Sequence, residues 1–150
     1  MKDASGAFRK AVWMALNGNL VSAFDGSNTP VAVYDGQVTT TNDSLYVLMG
    51  SERTTNETNR TRFVTRCTMV LEVIHRSEYA VDSRVLDDIS QQMMQILLPT
   101  PQTSGLVPQD DFQFVALQLE SGNKLNLTLS PVSSINRKIL TLSCRVVQLN

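Results

Sequence analysis

The residues of this chain that could carry chemistry are few and widely spaced. The 150 residues contain one histidine, His75, and two cysteines, Cys67 and Cys144. A nucleophilic site needs a nucleophile within reach of a base, and neither cysteine has the histidine near it in sequence. Zinc sites use ligand spacings such as CxxC or HExxH, and neither occurs in the sequence. We therefore expect no catalytic residue, no metal and no cofactor.

Each of these three residues has a structural interpretation. His75 ends a long apolar run and is followed by Arg76, so we expect a surface residue near a turn. Cys67 and Cys144 each lie within an apolar run, which favours buried free thiols. A disulfide and a reactive thiol are the alternatives, since a disulfide also needs a Cα separation of about 4.4–6.8 Å.

Two pairs of acidic residues and the absence of phosphate-binding motifs complete the search for chemistry. Neither GxGxxG nor GxxxxGK[ST] occurs in the sequence. The paired acids Asp87-Asp88 and Asp110-Asp111 are expected on the solvated face of a helix and in a loop, respectively. Solvated charge explains both pairs. The sequence thus predicts a protein that is not an enzyme.

The composition predicts one globular domain, residues 1–150. This length is in the usual range for a single domain. Thirteen basic against fourteen acidic residues give a net charge of −1, which argues against a dedicated nucleic-acid-binding protein. No apolar run approaches the roughly 18 residues of a membrane span. The N-terminal apolar stretch carries Arg9 and Lys10 without a clear cleavage site, so it predicts a helix of the mature protein and not a signal peptide.

The first third of the chain alternates helical, turn and strand signals. Apolar residues recur with helical period after Ser5, the expected N-cap, and stop before Gly18, the expected terminator. The dipeptide Asp35-Gly36 marks a turn after a short strand. The predicted elements are a helix over 7–17, a loop over 24–30, and strands over 31–34 and 44–50.

A long run rich in β-branched residues, 63–75, predicts a central strand. Its alternate residues form one nearly apolar face and one mixed face. The mixed face suits partial cover by a helix or by a neighbouring subunit. The predicted core face consists of Phe63, Thr65, Cys67, Met69, Leu71 and Val73.

The second half predicts a helix, a loop and a β region. The helix has acidic residues in its first half, which suits the positive end of the helix dipole, and prolines end it. The fold class is therefore α+β, a single domain with a mixed, mainly antiparallel sheet flanked by two helices. The predicted elements are a helix over 80–98, a loop over 100–111, strands over 112–120, 125–130 and 138–149, and a turn over 121–124.

The most informative polar segment is 51–66, whose charges alternate in sign up to Arg66 and whose first twelve residues, 51–62, are predicted to link two strands. A link of twelve residues is longer than a hairpin needs. Such a loop is either a flexible hairpin or a binding element. Mixed charge favours a protein partner over a polyanion, because arginine is enriched at protein interfaces. The candidate contact residues are Glu52, Arg53, Glu57, Arg60 and Arg62.

The order of these segments resembles a known family. A helix (FRKAVWMALNGNL) leads to a strand with an Asp-Gly turn (VAVYDG) and a second strand (LYVLMG). A polar link (SERTTNETNRTR) opens a long strand (FVTRCTMVLEVIHRS), followed by a helix with an aspartate-rich start and a terminal β region. From Phe8 to Leu149 this resembles the tail-terminator proteins of long-tailed bacteriophages, also called tail-completion or tail-to-head joining proteins. Residues 102–110 and the LNLTLS segment lengthen the terminal region relative to that family.

The resemblance implies a structural virion protein assembled in the host cytoplasm and located in the tail or neck, with no membrane partner. It implies a homo-oligomeric, hexameric ring that caps the tail tube protein and joins it to the head–tail connector or neck proteins. Genomic DNA would pass through the lumen without sequence-specific binding, which a near-neutral protein suits. The five candidate contact residues would then touch a neighbouring copy or the tube.

Two other functions remain open from the residues. One is another head–tail connector or neck subunit. The other is a small-molecule-binding α+β domain with a pocket between the second helix and the sheet.

Overall fold

The computed structural model describes residues 1–23, 28–36, 43–77, 84–130 and 133–149, with the backbone alone for 77, 126–130 and 133. The described residues form two helices and seven strands in one α+β domain, which confirms the predicted fold class. The elements are α1 Ser5–Leu16, β1 Val21–Ser22, β2 Thr29–Pro30, β3 Ala32–Asp35, β4 Leu45–Asn56, β5 Val64–Ser77, α2 Arg84–Leu97, β6 Phe112–Ser130 and β7 Ser133–Gln148.

A five-stranded sheet organises the domain, with the order β3-β4-β5-β7-β6. Strand β3 runs parallel to β4, and every other neighbouring pair is antiparallel. Strand β5 is central, as predicted. β1 and β2 form a separate antiparallel ribbon. Helices α1 and α2 contact each other, α1 packs against β3 and β4, and α2 packs against β5 and β7.

Helix α1 begins and ends through backbone geometry more than through side-chain capping. The N-cap is Ala4, without a side-chain hydrogen bond, so the prediction of Ser5 as N-cap is wrong. Ser5 is the first helical residue, and its N–H donates to the carboxylate of Asp3 at 3.0 Å. Gly18 follows the helix with a φ of 78°, a conformation that glycine adopts without strain, which confirms it as terminator.

The core lies between the helices and one face of the sheet. Cys67, Met69, Leu71 and Val73 of β5 are fully buried there, as predicted. Phe63 precedes the strand and is 42% exposed, so its placement in the core was wrong. The fully buried helix residues packed in the same cluster are Phe8, Val12, Leu16, Ile89, Met93 and Leu97.

The first half of the predicted loop over 51–62 is strand. Strand β4 continues past Gly50 to Asn56 after an irregularity between Met49 and Glu52. The link to β5 is therefore only the seven residues 57–63. The polar composition of residues 51–56 predicted a loop because β4 leaves the core here. Backbone pairing with β5 holds the strand, and its side chains no longer need to be apolar.

The predicted turn over 121–124 is also strand, because β6 runs without interruption from Phe112 to Ser130. Ser121 and Lys124 pair with Thr141 and Lys138 of β7. Gly122 suits this position in the strand because there is little room for a side chain. A Cβ on Gly122 would lie 3.2 Å from the side chain of Leu140. The three predicted terminal strands are therefore two long ones.

Three smaller differences concern element ends. Thr29–Pro30 is a strand within the predicted loop over 24–30, of which 24–27 lie outside the described residues. The first part of the predicted helix over 80–98 also falls outside them, up to residue 83. The loop after α2 is confirmed, and its Gly105 N–H donates to the Leu97 carbonyl at 2.8 Å. A side chain at Gly105 would overlap the carbonyl of Ile96, so only glycine allows this return.

Candidate interaction surface

The chemistry-bearing residues do not converge on a site. Cys67 and Cys144 lie directly opposite each other on β5 and β7, as buried free cysteines. Burial raises the pKa of each thiol to about 12, so neither is a thiolate at neutral pH. The favoured interpretation of buried free thiols is confirmed.

His75 lies near the end of β5, opposite Leu45 and Asn136. It is half-buried, which departs from the expected surface position, and burial lowers its pKa. It lines a cavity of about 170 Å³ together with Val85 of α2. Within the described ranges, no group of three or more His, Cys, Asp or Glu side chains could hold a metal ion. Nor is any helix in that part of the chain long and apolar enough to span a membrane.

Arg9 of α1 holds the irregular segment of β4 against the helix. Its guanidinium donates to the carbonyls of Met49 at 2.8 Å and Gly50 at 2.9 and 3.0 Å, and also to Asp35. The carboxylate of Glu52 lies 3.6 Å from the same guanidinium. Burial raises the pKa of Glu52, and the charge of Arg9 opposes that rise. Glu52 therefore faces α1, on the opposite side of the sheet from Arg53.

The other candidate contact residues lie at or beyond the end of β4. Arg53 pairs with Thr68 of β5, and Glu57, Arg60 and Arg62 belong to the link over 57–63. This link has defined internal bonds: the Asn59 side-chain oxygen accepts from the N–H groups of residues 61 and 62 at 2.9 and 3.0 Å. The structure thus brings four of the five candidates to one end of the sheet and separates Glu52 from them.

The face of the sheet opposite the helices is here called the outer face. Its residues alternate with the core residues and are mostly half-exposed, and no described helix or strand packs on it. Strand register places Arg53, Arg66 and Arg145 toward one end, and Arg137 and Arg76 toward the other. Sequence reasoning had already placed Arg66 on the mixed face of the long strand, but it missed Arg145, Arg137 and Arg76, although alternation along β5 and β7 puts them on the same face.

The lysines lie on only one of the two sides of the sheet. All four lysines lie on the helix side, and each has a carboxylate partner. Asp87 of α2 holds two of them, Lys124 at 2.7 Å and Lys138 at 2.9 Å. Hydrogen bonds from these two lysines lower the pKa of Asp87. The outer face contains arginines and no lysine.

Most arginines of the outer face and its adjoining link are not neutralised. Glu57 bridges Arg66 at 2.7 Å and Arg145 at 2.9 Å. Arg76 lies over the ring of Tyr46, 5.9 Å from its centroid. The remaining four have no carboxylate within ion-pair distance in the portion of the chain that the structure describes: Arg53, Arg60, Arg62 and Arg137.

Among the described residues of β4 to β7 and the link, the acidic residues on this side are Glu57, Glu72 and Glu120, and Asp43, before β4, accepts a hydrogen bond from Tyr34 of β3. Glu120 accepts hydrogen bonds from Ser143 and Gln118, which lower its pKa. Seven arginines against three glutamates leave the outer face and the link with a surplus of positive charge. The net charge of −1 therefore hides an uneven distribution of charge between the two sides of the sheet.

Comparison with solved structures finds a full-length likeness. A chain of the "Virion of native gene transfer agent (GTA) particle" superposes with a TM-score of 0.68. The match covers 95% of this chain and 96% of that chain at 21% sequence identity, which establishes a shared fold. No protein-family model matches the sequence. No curated protein matches it either.

Proposed function

We propose that this protein is a structural subunit of a phage-like virion. The observation that carries the proposal is the superposition with a virion chain over nearly the whole length of both chains. The scarcity and separation of the chemistry-bearing residues agree with it, because His75 lies eight residues along β5 from Cys67 and both thiols stay protonated. A protein that works by assembly needs surfaces and no catalytic group.

Within the virion, we propose the role of a tail terminator. Copies form a hexameric ring that caps the tail tube and joins it to the head–tail connector or neck, and DNA passes through the lumen. Two features support a ring. The sheet offers a second face that neither described helix covers, and the chain carries two unlike surfaces, as a contact that closes by rotation requires. Another neck or connector position is the alternative within the same class.

The small-molecule alternative has weaker support. The cavity between α2 and the sheet measures about 170 Å³. Ligand sites for small molecules typically measure about 300–1,000 Å³. The cavity beside α2, where this alternative expects its ligand, is therefore below that range, and clefts of about 360 and 380 Å³ lie elsewhere, beside the loop after α2 and beside the 57–63 link.

The contact with a neighbouring copy or with the tail tube is proposed at the end of the sheet that holds Arg53, Glu57, Arg60 and Arg62, with Glu52 behind it. Reversing Arg53, Arg60 and Arg62 to glutamate should repel the acidic groups that they meet. Because these side chains are exposed and lie outside the core, the variant should remain folded. We expect a folded protein that no longer forms rings, or rings that no longer complete tails.

The experiment measures the mass of the purified protein by light scattering and scores tail completion by electron microscopy. A wild-type protein that stays monomeric at all concentrations would refute the homo-oligomeric ring. A triple variant that assembles and completes tails normally would show that the contact lies elsewhere. A triple variant that unfolds would place these residues in the core.

A further inference from the structure

The outer face has the composition of a protein interface. Half-buried Leu48, Val70 and Ile139 lie in its middle rows. Arg66 and Arg76 lie ten residues apart on β5, about 33 Å at roughly 3.3 Å per residue. Protein interfaces enrich arginine and deplete lysine, because the planar guanidinium forms paired hydrogen bonds at a low desolvation cost. The outer face, with five arginines on its strands and no lysine, fits a protein partner.

The charge of the outer face disfavours one arrangement of that partner. In a two-fold dimer built on this face, the same patch of both copies would meet. Because arginines outnumber glutamates among the described residues of this face, such a contact would bring a surplus of like charge together, which disfavours it. The expected occupant is therefore a different surface with available carboxylates.

The helix side of the same chain provides such carboxylates. Asp3, before α1, is exposed and accepts from the backbone N–H of Ser5. Asp88, on α2, is exposed and accepts from the amide of Gln92 at 3.1 Å. Neither has a cation within ion-pair distance among the described residues. Unpaired carboxylates on one side of the chain thus match unpaired arginines on the other.

We propose that the outer face of one copy docks on the helix side of the next copy, with Arg53 and Arg137 directed toward the carboxylates of Asp3 and Asp88. The two surfaces point in opposite directions, so the contact is head-to-tail and can propagate into a closed ring. The proposal rests on the ring of the proposed function and assigns both of its surfaces.

Charge exchange between copies tests this pairing. Variant one carries Arg53→Glu and Arg137→Glu. Variant two carries Asp3→Lys and Asp88→Lys. A third protein carries all four changes and keeps the wild-type net charge. The mass of each, and of an equimolar mixture of variants one and two, is measured by light scattering beside the wild type. Circular dichroism melts check that each is folded.

The expected result is loss of ring mass in variants one and two separately. The equimolar mixture should restore ring mass, because each contact in an alternating ring again joins opposite charges. The four-change protein should assemble alone, with its charges exchanged. Since Asp3 and Asp88 lie near helix N-termini, variant two loses some helix stability. If it melts too early, Asp3→Asn with Asp88→Asn replaces it and should lower the ring fraction.

Three outcomes would overturn the inference. If both charge variants keep the ring mass of the wild type, a ring exists but these two surfaces do not form its contacts. Loss in variant one that neither the mixture nor the four-change protein restores would give the outer face another partner. Unchanged mass combined with lost binding of a labelled DNA duplex in variant one would make the face a nucleic-acid contact. A monomeric wild type, in contrast, refutes the proposed ring itself.

Discussion

The two faces of the central sheet use the same strands for opposite purposes. Toward the helices, β5 presents Cys67, Met69, Leu71 and Val73, all fully buried. One residue earlier at each step, it presents Arg66, Thr68, Val70 and Glu72 to the outer face, all half-exposed. The first set holds the domain together, and the second remains available to a partner. A strand with period-two alternation can thus separate stability from assembly within one segment.

Two arginines show the same division at the level of single side chains. Arg9, a residue of helix α1, donates hydrogen bonds to two backbone carbonyls of β4 and lies beside Asp35 and Glu52. Arg53, on the outer face next to Glu52 in sequence, has no carboxylate partner among the described residues. The same guanidinium group therefore holds the fold together in Arg9 and has no carboxylate partner among the described residues in Arg53.

The largest difference between the faces should appear on truncation of apolar side chains. Leu71→Ala should lower the free energy of unfolding by about 2–5 kcal/mol, because it leaves a cavity in the core. Val70→Ala, its neighbour on the outer face, should cost less than about 1 kcal/mol. Urea denaturation of both variants measures the two values. A loss below about 0.5 kcal/mol for Leu71→Ala would place that side chain outside the core.

The next largest difference should separate the two arginines. Arg9→Met removes the donors to the Met49 and Gly50 carbonyls and leaves Glu52 without its cation, at a cost of about 2–3 kcal/mol. Arg53→Met should change stability by less than about 0.5 kcal/mol. Both are compared by urea denaturation at neutral pH.

Adding Glu52→Gln to Arg9→Met separates the loss of the hydrogen bonds of Arg9 from the effect of an unpaired carboxylate. If the unpaired carboxylate accounts for part of the loss, Arg9→Met with Glu52→Gln should recover that part. Equal losses for Arg9→Met and Arg53→Met would contradict a structural role for Arg9.

The smallest effect concerns the lysine pairs of the helix side and depends on pH. Lys124 and Lys138 hold the pKa of Asp87 below its usual value of 3.8. The folded state thus favours the carboxylate, so its stabilisation is present above that usual value and disappears as pH falls through the lowered pKa. Because the side chain of Asp87 is 46% exposed, Asp87→Asn should cost only about 0.5–1 kcal/mol at pH 7.

The control is Asp88→Asn, which removes a carboxylate with no lysine beside it and should change the pH dependence less. Denaturation curves at pH 7 and near pH 2 give the comparison. If the difference in unfolding free energy between wild type and Asp87→Asn is the same at pH 7 and near pH 2, these ion pairs do not stabilise the fold.

The sequence by itself determined the features that follow from local periodicity. The helical repeat before Gly18 predicted α1, and alternation over 63–75 predicted a central strand with Leu71 in the core. The separation of His75 from both cysteines in sequence agrees with the structure, where Cys67 pairs with Cys144 in the strand register and His75 lies eight residues further along β5. These predictions held because the spacing of side chains along one element decides which of them share a face.

Only the tertiary structure decided where strands end and which charges remain unpaired. Residues 51–56 and 121–124 have the composition of loops, yet pairing with β5 and β7 satisfies their backbone groups and keeps them extended. The partners of Arg9 and the lack of one for Arg53 depend on elements far apart in sequence. Arginine is the same residue in both places, and its surroundings in the fold pair Arg9 with carbonyls and carboxylates and leave Arg53 without a carboxylate partner among the described residues.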